Sequence, residues 1–424
     1  MQNIMIVAGT RPEIIKLVPI MQQLDVFGVE YTLVWSGQHY DYEMSNVFFE
    51  QFGVRKADVN LDVRNGTHAE QTAKIMFGLE NLVSVQKPTI IVSQGDTNTV
   101  LAAALTSAKS SIPFAHVEAG LRSWNMVMPE EINRRVADAI ASLHFAPTEL
   151  AALNLAFEGI PAGNIHVTGN TVVDVIFQYE KQAQEAVQDL LERNDLEVKN
   201  YALLTLHRAE NVDNHGRLEN ILKAISEIAK EIPLVFPIHP RTRNRIAQYG
   251  LSKYLEHVKV LRPLNYFEFL GLLKNARVVL TDSGGVQEEA FTLKVPTVTL
   301  RYNTERPETT MYDINVLAGA DTKSIITATM RQAARYEQIK KLCFENPLGD
   351  GKAGRRIAEC LKRVVNGGIE VKEPDHRNSP LTLYRLLDKP EGEVLAYFKP
   401  DGTAKHAPNS TVWKVLARIQ SRYS

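Results

Sequence analysis

Three carboxylates stand where apolar runs end: Asp96 in SQGDTNT, Glu118 in FAHVEAGLRS, and Glu130 behind Pro129 in MVMPEEINRR. Crowding and burial both penalise ionisation, so carboxyls gathered at one sheet edge are driven toward a pKa suited to proton transfer near neutrality. The expected chemistry is general acid/base work at a carbon centre. Each carboxylate also has a plainer reading: Asp96 as a helix N-cap, and Glu130 with Glu131 as dipole partners in a first helical turn. His116 and Glu118, two apart, are expected on one side of their strand. No third ligand follows at a recognisable spacing, so no metal is expected there.

The cations and glycines suggest an anionic ligand. GTRPEIIK at 9–16 places Arg11 at a turn, Pro12 where a helix can begin, and Lys16 one turn further on, a ready anion site. No GxGxxG follows the first strand, which counts against NAD or another dinucleotide, and no cofactor is expected. HRAEN at 207–211 and HPRTR at 239–243 put His207, Arg208, His239, Arg241 and Arg243 at neighbouring strand tips, as a cationic rim or as ordinary basic strand ends. VVLTDSGGVQEEAF at 278–291 is the sharpest signal. Gly284 and Gly285 at a helix start let backbone N–H groups approach a diphosphate closely, and Ser283 adds a hydroxyl donor. Glu289, one turn into that helix, is placed for ribose hydroxyls. Arg306 follows the last strong strand and can reach the same phosphates. Arg134 and Phe269 complete the expected substrate-binding set.

These positions require alternating strands and helices. Short apolar runs at 4–8, 31–35, 89–93, 114–117, 143–146 and 165–168, and again at 202–206, 234–238, 259–261, 278–281 and 297–300, alternate with amphipathic stretches. That pattern is the signature of βα units and parallel sheets. A chain of 424 residues exceeds one ordinary core. The expectation is therefore an α/β protein of two Rossmann-like domains facing a cleft, spanning 1–170 and 171–366, with a short C-terminal extension at 367–424. Residues 172–193 read as one long helix.

Formal net charge is −1, which argues against a nucleic-acid or anionic-membrane partner. Cys343 and Cys360 form no metal or disulfide framework. The first residues run straight into a strand, and no apolar run is long enough to span a bilayer. A cytoplasmic location is expected.

On GTRPE at 9–13, GDT at 95–97, HVEAGLR at 116–122, PEEINR at 129–134, HRAEN at 207–211, DSGG with QEEA at 282–290, and TERPE at 304–308, the chain resembles the non-hydrolysing UDP-N-acetylglucosamine 2-epimerase family. The resemblance implies a glycosyltransferase B-like fold, its last helix crossing back onto the first domain, and a homodimer. It implies inversion of C2 of UDP-N-acetylglucosamine to give UDP-N-acetylmannosamine, through elimination of UDP to 2-acetamidoglucal and re-addition. Asp96, Glu118, Glu130, His207 and Lys16 would be catalytic. Arg11, Arg134, His239, Phe269, Ser283, Gly284, Gly285, Glu289 and Arg306 would bind the UDP-sugar.

Two stretches depart from the family's bacterial pattern. LRSWNMVMP at 121–129 is shorter, and RNGTHAEQT at 64–72 does not match the stretch that forms an allosteric site, so allostery is not carried over. The shorter loop and HRAENVD at 207–213 also occur in relatives acting on UDP-2,3-diacetamido-glucuronate. That substrate is one alternative; a UDP-sugar glycosyltransferase and a hydrolysing epimerase are others. A binding protein without catalysis would have no use for the three carboxylates.

Overall fold

A computed structural model of the chain describes residues 3–38, 49, 51–64 and 66–367. The expected C-terminal extension lies, from residue 368 onward, outside the described residues. The fold is α/β, with two compact units: one takes Met1–Thr171 and the chain from Lys352, the other Val172–Gly351.

The first unit holds seven parallel strands: β1 (Ile4–Ala8), β2 (Tyr31–Trp35), β3 (Val59–Asn60), β4 (Ile90–Gln94), β5 (Phe114–Val117), β6 (Leu143–Ala146) and β7 (Ile165–Val167). Their order is β3-β2-β1-β4-β5-β6-β7. Every residue of β1 is buried, which is why it reads as a continuous apolar run rather than an alternating one. The chain winds outward in opposite directions from β1 and β4, so the connections leaving their carboxyl ends part company. That divergence opens a crevice at the strand tips, the usual ligand position in such sheets.

Helix Arg11–Val26 follows β1, with Pro12 in its first turn. It packs on helix Ala353–Val365 of the same unit, where a Cβ on Gly354 would meet Pro19 at 2.6 Å. Only glycine permits that approach.

The second unit repeats the plan with six parallel strands: β8 (Ala202–Thr205), β9 (Leu234–Pro237), β10 (Val258–Leu261), β11 (Val278–Thr281), β12 (Thr297–Thr299) and β13 (Asn315–Leu317). The order β10-β9-β8-β11-β12-β13 puts its switch point between β8 and β11. Apolar side chains from both faces of this sheet, among them Leu204, Phe236 and Leu280 on one and Leu203, Val235 and Val279 on the other, fill two buried clusters.

The single helix expected over 172–193 is in fact two, Thr171–Ala186 and Gln188–Arg193, meeting at the buried Val187. A Cβ on Gly271 would meet Ala183 O at 2.3 Å and Val187 at 2.7 Å. The break falls where the chain presses against helix Tyr266–Lys274.

Candidate active site

At the switch point of the first unit, Arg11 opens the helix after β1, and Asp96 sits in the turn after β4. Gly95 supports that turn with φ +89. Asp96 is not the N-cap of helix Asn98–Lys109; Thr97 is, its hydroxyl accepting from Thr99 N at 3.1 Å. The Asp96 carboxylate is thereby available to Arg134, whose Nε and Nη2 both donate to Oδ2, at 3.0 and 2.6 Å. Arg134 Nη1 donates to the fully buried Glu131 at 2.7 Å, and Glu131 also accepts from Ser123 N and Trp124 N. Glu131 thus anchors the 123–124 loop, while Glu130 beside it is part-exposed in the first turn of helix Pro129–Ile140.

Glu118 lies just past β5 with φ +72, a left-handed conformation uncommon for a residue with a Cβ. Strand alternation ends there. Glu118 and His116 take different partners. Glu118 accepts from Lys16 Nζ at 2.6 Å, with both side chains at most 10% exposed, and from Gln94 Nε2 and Asn170 Nδ2. His116 donates from Nδ1 to Asp138 at 2.6 Å and from Nε2 to Gly95 O at 2.8 Å. Facing an acceptor at each nitrogen, the ring is an imidazolium. Burial opposes that charge, but Asp138 and the Gly95 carbonyl outweigh burial and raise the pKa. Burial likewise works against the Asp138 carboxylate, yet His116 and Arg122 hold its pKa well below the usual range.

A further carboxylate, given no role by the sequence reading, occupies this switch point. Glu13 Oε2 accepts from Gly9 N at 2.6 Å and Thr10 N at 2.9 Å, and Oε1 accepts from the Thr97 hydroxyl at 2.5 Å. Burial pushes its pKa up to about 7 against these donors, with the Asp96 charge adding to the rise. The signal was in the sequence: Thr10 and Glu13 have the spacing of a capping box.

In the second unit, His207 follows β8, and its ring lies 6.1 Å from that of His239, so these two predicted strand-tip residues do come together. His239 caps helix Pro240–Gln248 through Nδ1. Of the remaining rim, Arg241 is tied to Asp213 and Arg243 is exposed. Asp282, fully buried at the tip of β11, accepts from His207 N, Arg208 N and Asn211 Nδ2.

Helix Gly284–Thr292 starts directly behind Ser283. A Cβ on Gly284 would lie 2.7 Å from Glu305 Oε1, so a larger residue there would displace the Glu305 carboxylate from its pairs with Arg301 and Arg208. A Cβ on Gly285 would meet nothing within 4 Å, and no positive φ requires glycine either. Arg306 is buried, with Nε donating to Glu288 and Nη1 at 3.8 Å from Glu305. Glu305 also pairs with Arg301 at 2.9 Å and Arg208 at 3.6 Å. Glu289 is buried beside Tyr266, whose hydroxyl is pushed well above its ordinary pKa by burial and then by the Glu289 charge. Phe269 packs part-buried on the unit's core. Among the described residues, no group of three or more His, Cys, Asp or Glu is placed to hold a metal, and no helix is long and apolar enough to cross a membrane.

A family model described as UDP-N-acetylglucosamine 2-epimerase matches residues 23–362. The UDP-N-acetylglucosamine 2-epimerase of Methanocaldococcus jannaschii is 46% identical, over 84% of this chain and 98% of that one. The UDP-2,3-diacetamido-2,3-dideoxy-D-glucuronate 2-epimerase of Pseudomonas aeruginosa is 39% identical, over 85% and 100%. Among solved structures, the M. jannaschii enzyme in complex with UDP-GlcNAc and UDP superposes with a TM-score of 0.78 at 45% identity, over 85% of this chain and 99% of that one. The Neisseria meningitidis enzyme bound to UDP-GlcNAc gives 0.77 at 33% identity, over 85% and 100%.

Proposed function

This chain belongs to the UDP-N-acetylglucosamine 2-epimerase family, and from that premise we propose that it inverts C2 of UDP-N-acetylglucosamine to give UDP-N-acetylmannosamine without hydrolysis. The C2 proton has no adjacent carbonyl to acidify it, so cleavage of the C1–O bond must assist its removal. UDP leaves, 2-acetamidoglucal remains bound, and re-addition sets the opposite configuration.

Residues of the second unit take the nucleotide. The N–H groups at Ser283, Gly284 and Gly285, with His207, His239 and Arg306, stabilise the charge developing on departing UDP, electrostatic preorganisation of the kind that supplies the largest share of many rate enhancements. Glu289 takes the ribose, and Phe269 borders the nucleotide. Residues of the first unit act on the sugar. Asp96, Glu118 and Glu130 hold the oxocarbenium-like ring and move the C2 proton, while Lys16, Arg134 and Arg11 steady the carboxylates and the leaving group. The enzyme works as a cytoplasmic homodimer, and its product feeds surface-polysaccharide precursors.

The observation that carries this reading is the pairing of Lys16 with Glu118 and of Arg134 with Asp96 at one switch point. A nucleotide-binding protein without acid/base chemistry would not need it. UDP-2,3-diacetamido-glucuronate is the second reading, favoured by the Pseudomonas relative. Incubation with each nucleotide sugar, followed by product separation and NMR, tests both. UDP-N-acetylmannosamine from UDP-N-acetylglucosamine is expected. Turnover of the uronate alone would transfer the assignment to the second reading, and free N-acetylmannosamine plus UDP would make the enzyme hydrolytic.

A further inference from the structure

The switch point of the first unit is spanned by one side chain. Glu13 belongs to the helix after β1, yet its carboxyl takes the Gly9 and Thr10 N–H groups on one oxygen and the Thr97 hydroxyl on the other. Thr97 is the neighbour of Asp96 and the cap of the helix after β4. One carboxyl therefore binds the starts of two helices that diverge from adjacent strands. We propose that Glu13 is a positioning residue for Asp96, locking the turn after β4 to the turn after β1 so that the Asp96 carboxylate is held at the sugar.

Glu13 is 3% exposed, so it acts through this contact rather than by touching substrate. Other ties on the same turn include Gly95 N to Val117 O, His116 to Gly95 O, Asn133 to Asp96 O, and Arg134 to the Asp96 carboxylate. These come from the β5 and Pro129–Ile140 side. Glu13 restrains it from the β1 side through Thr97. The charge that acts on it is that of Asp96 on the facing turn, itself paired with Arg134, while Lys16 of the same helix is committed to Glu118. With its pKa raised by burial to about 7, the carboxyl changes charge within the working range. Protonation reverses the sense of the Glu13–Thr97 hydrogen bond, so the tie, and with it Asp96, is coupled to pH.

The inference rests on the epimerase reading, so the experiment carries a control for that reading. Wild-type, E13A, E13Q and D96N proteins are compared for UDP-N-acetylglucosamine turnover from about pH 5 to about pH 9, with UDP affinity measured alongside. E13A is expected to lower kcat about 100-fold, the scale of a misplaced reacting group, with UDP affinity within about threefold. E13Q keeps an oxygen for Gly9 and Thr10 and an amide for Thr97 but cannot ionise. It should recover most of the turnover and lack the limb of the kcat profile near pH 7 expected of the wild type. E13A turnover within about threefold of wild type overturns the inference. So does an E13Q profile that keeps the limb. Should E13A fail to fold, the E13Q limb alone decides. D96N at wild-type rate sinks the epimerase reading itself, whereas an inactive D96N beside a fully active E13A sinks only the role of Glu13.

Discussion

In the first unit the carboxylate that spans the switch point is Glu13, arriving from the helix after β1; in the second it is Asp282, arriving from the tip of β11. Glu13 holds a turn that ends in another carboxylate, Asp96, and burial beside that charge raises its pKa. Asp282 holds a turn that ends in His207 and Arg208. Beyond these bridges the signs reverse. Around Asp96 and Glu118 the supporting groups are the cations Arg134 and Lys16; around Arg306 and Arg208 they are the carboxylates Glu288 and Glu305. Two copies of one architecture have been turned to opposite electrostatic ends. Held carboxylates suit proton transfer, and held cations suit a diphosphate.

The largest effect that would test this contrast is D96N, which should cut turnover by about 100- to 10,000-fold, the range of a lost acid/base group, while UDP affinity stays close to wild type. Steady-state kinetics with calorimetric UDP titration would check it, and a matching loss of UDP affinity would merge the two roles. Next is a stability effect of on the order of 3 kcal/mol at most, from the Glu13 carboxyl. Its pKa rises on folding from about 4.5 to about 7, so the folded state binds the proton more tightly. The associated stability is present below pH 4.5 and lost as pH rises through 7. E13Q should therefore gain on the wild type between about pH 5 and about pH 8 in denaturant titrations; a constant difference would contradict the raised pKa.

A smaller effect distinguishes adjacent glycines in the second unit. G285A meets no protein atom within 4 Å, so its melting temperature should hold while UDP affinity falls about tenfold. G284A should instead lower the melting temperature, because its Cβ collides with Glu305. Equal melting temperatures and equal UDP affinities for the two would erase the distinction. The smallest effect is spectroscopic. Nitrogen NMR of His116 should show both ring nitrogens protonated at pH 6.5, where a free imidazole is half titrated, and a neutral ring would contradict its donating to both Asp138 and Gly95 O.

Much of this arrangement was legible from local pattern. Continuous apolar runs announce buried parallel strands, and the glycine and carboxylate signals fall at their ends. What escaped depends on contacts between segments distant in sequence. β3 is two part-exposed or exposed residues, and β13 opens on Asn315, buried because Thr299 and Gln287 satisfy its amide. The close packing of Val187 on helix Tyr266–Lys274 depends on Gly271, far along the chain. Glu13 was visible as a capping-box residue, but its bond to Thr97 requires β1 and β4 to be neighbours, a fact of sheet order that periodicity does not encode. The same holds for Asp96, whose capping alternative disappeared once Thr97 took the cap and Arg134 took the carboxylate.

The central claim is that carboxylates of the first unit exchange the C2 proton while the second unit holds UDP. Incubation with UDP-N-acetylglucosamine in deuterated water, followed by proton NMR, tests it most directly. The account predicts UDP-N-acetylmannosamine carrying deuterium at C2. Epimerised product that retains the original C2 proton would contradict proton exchange at these carboxylates, and an unchanged nucleotide sugar would contradict the assigned substrate.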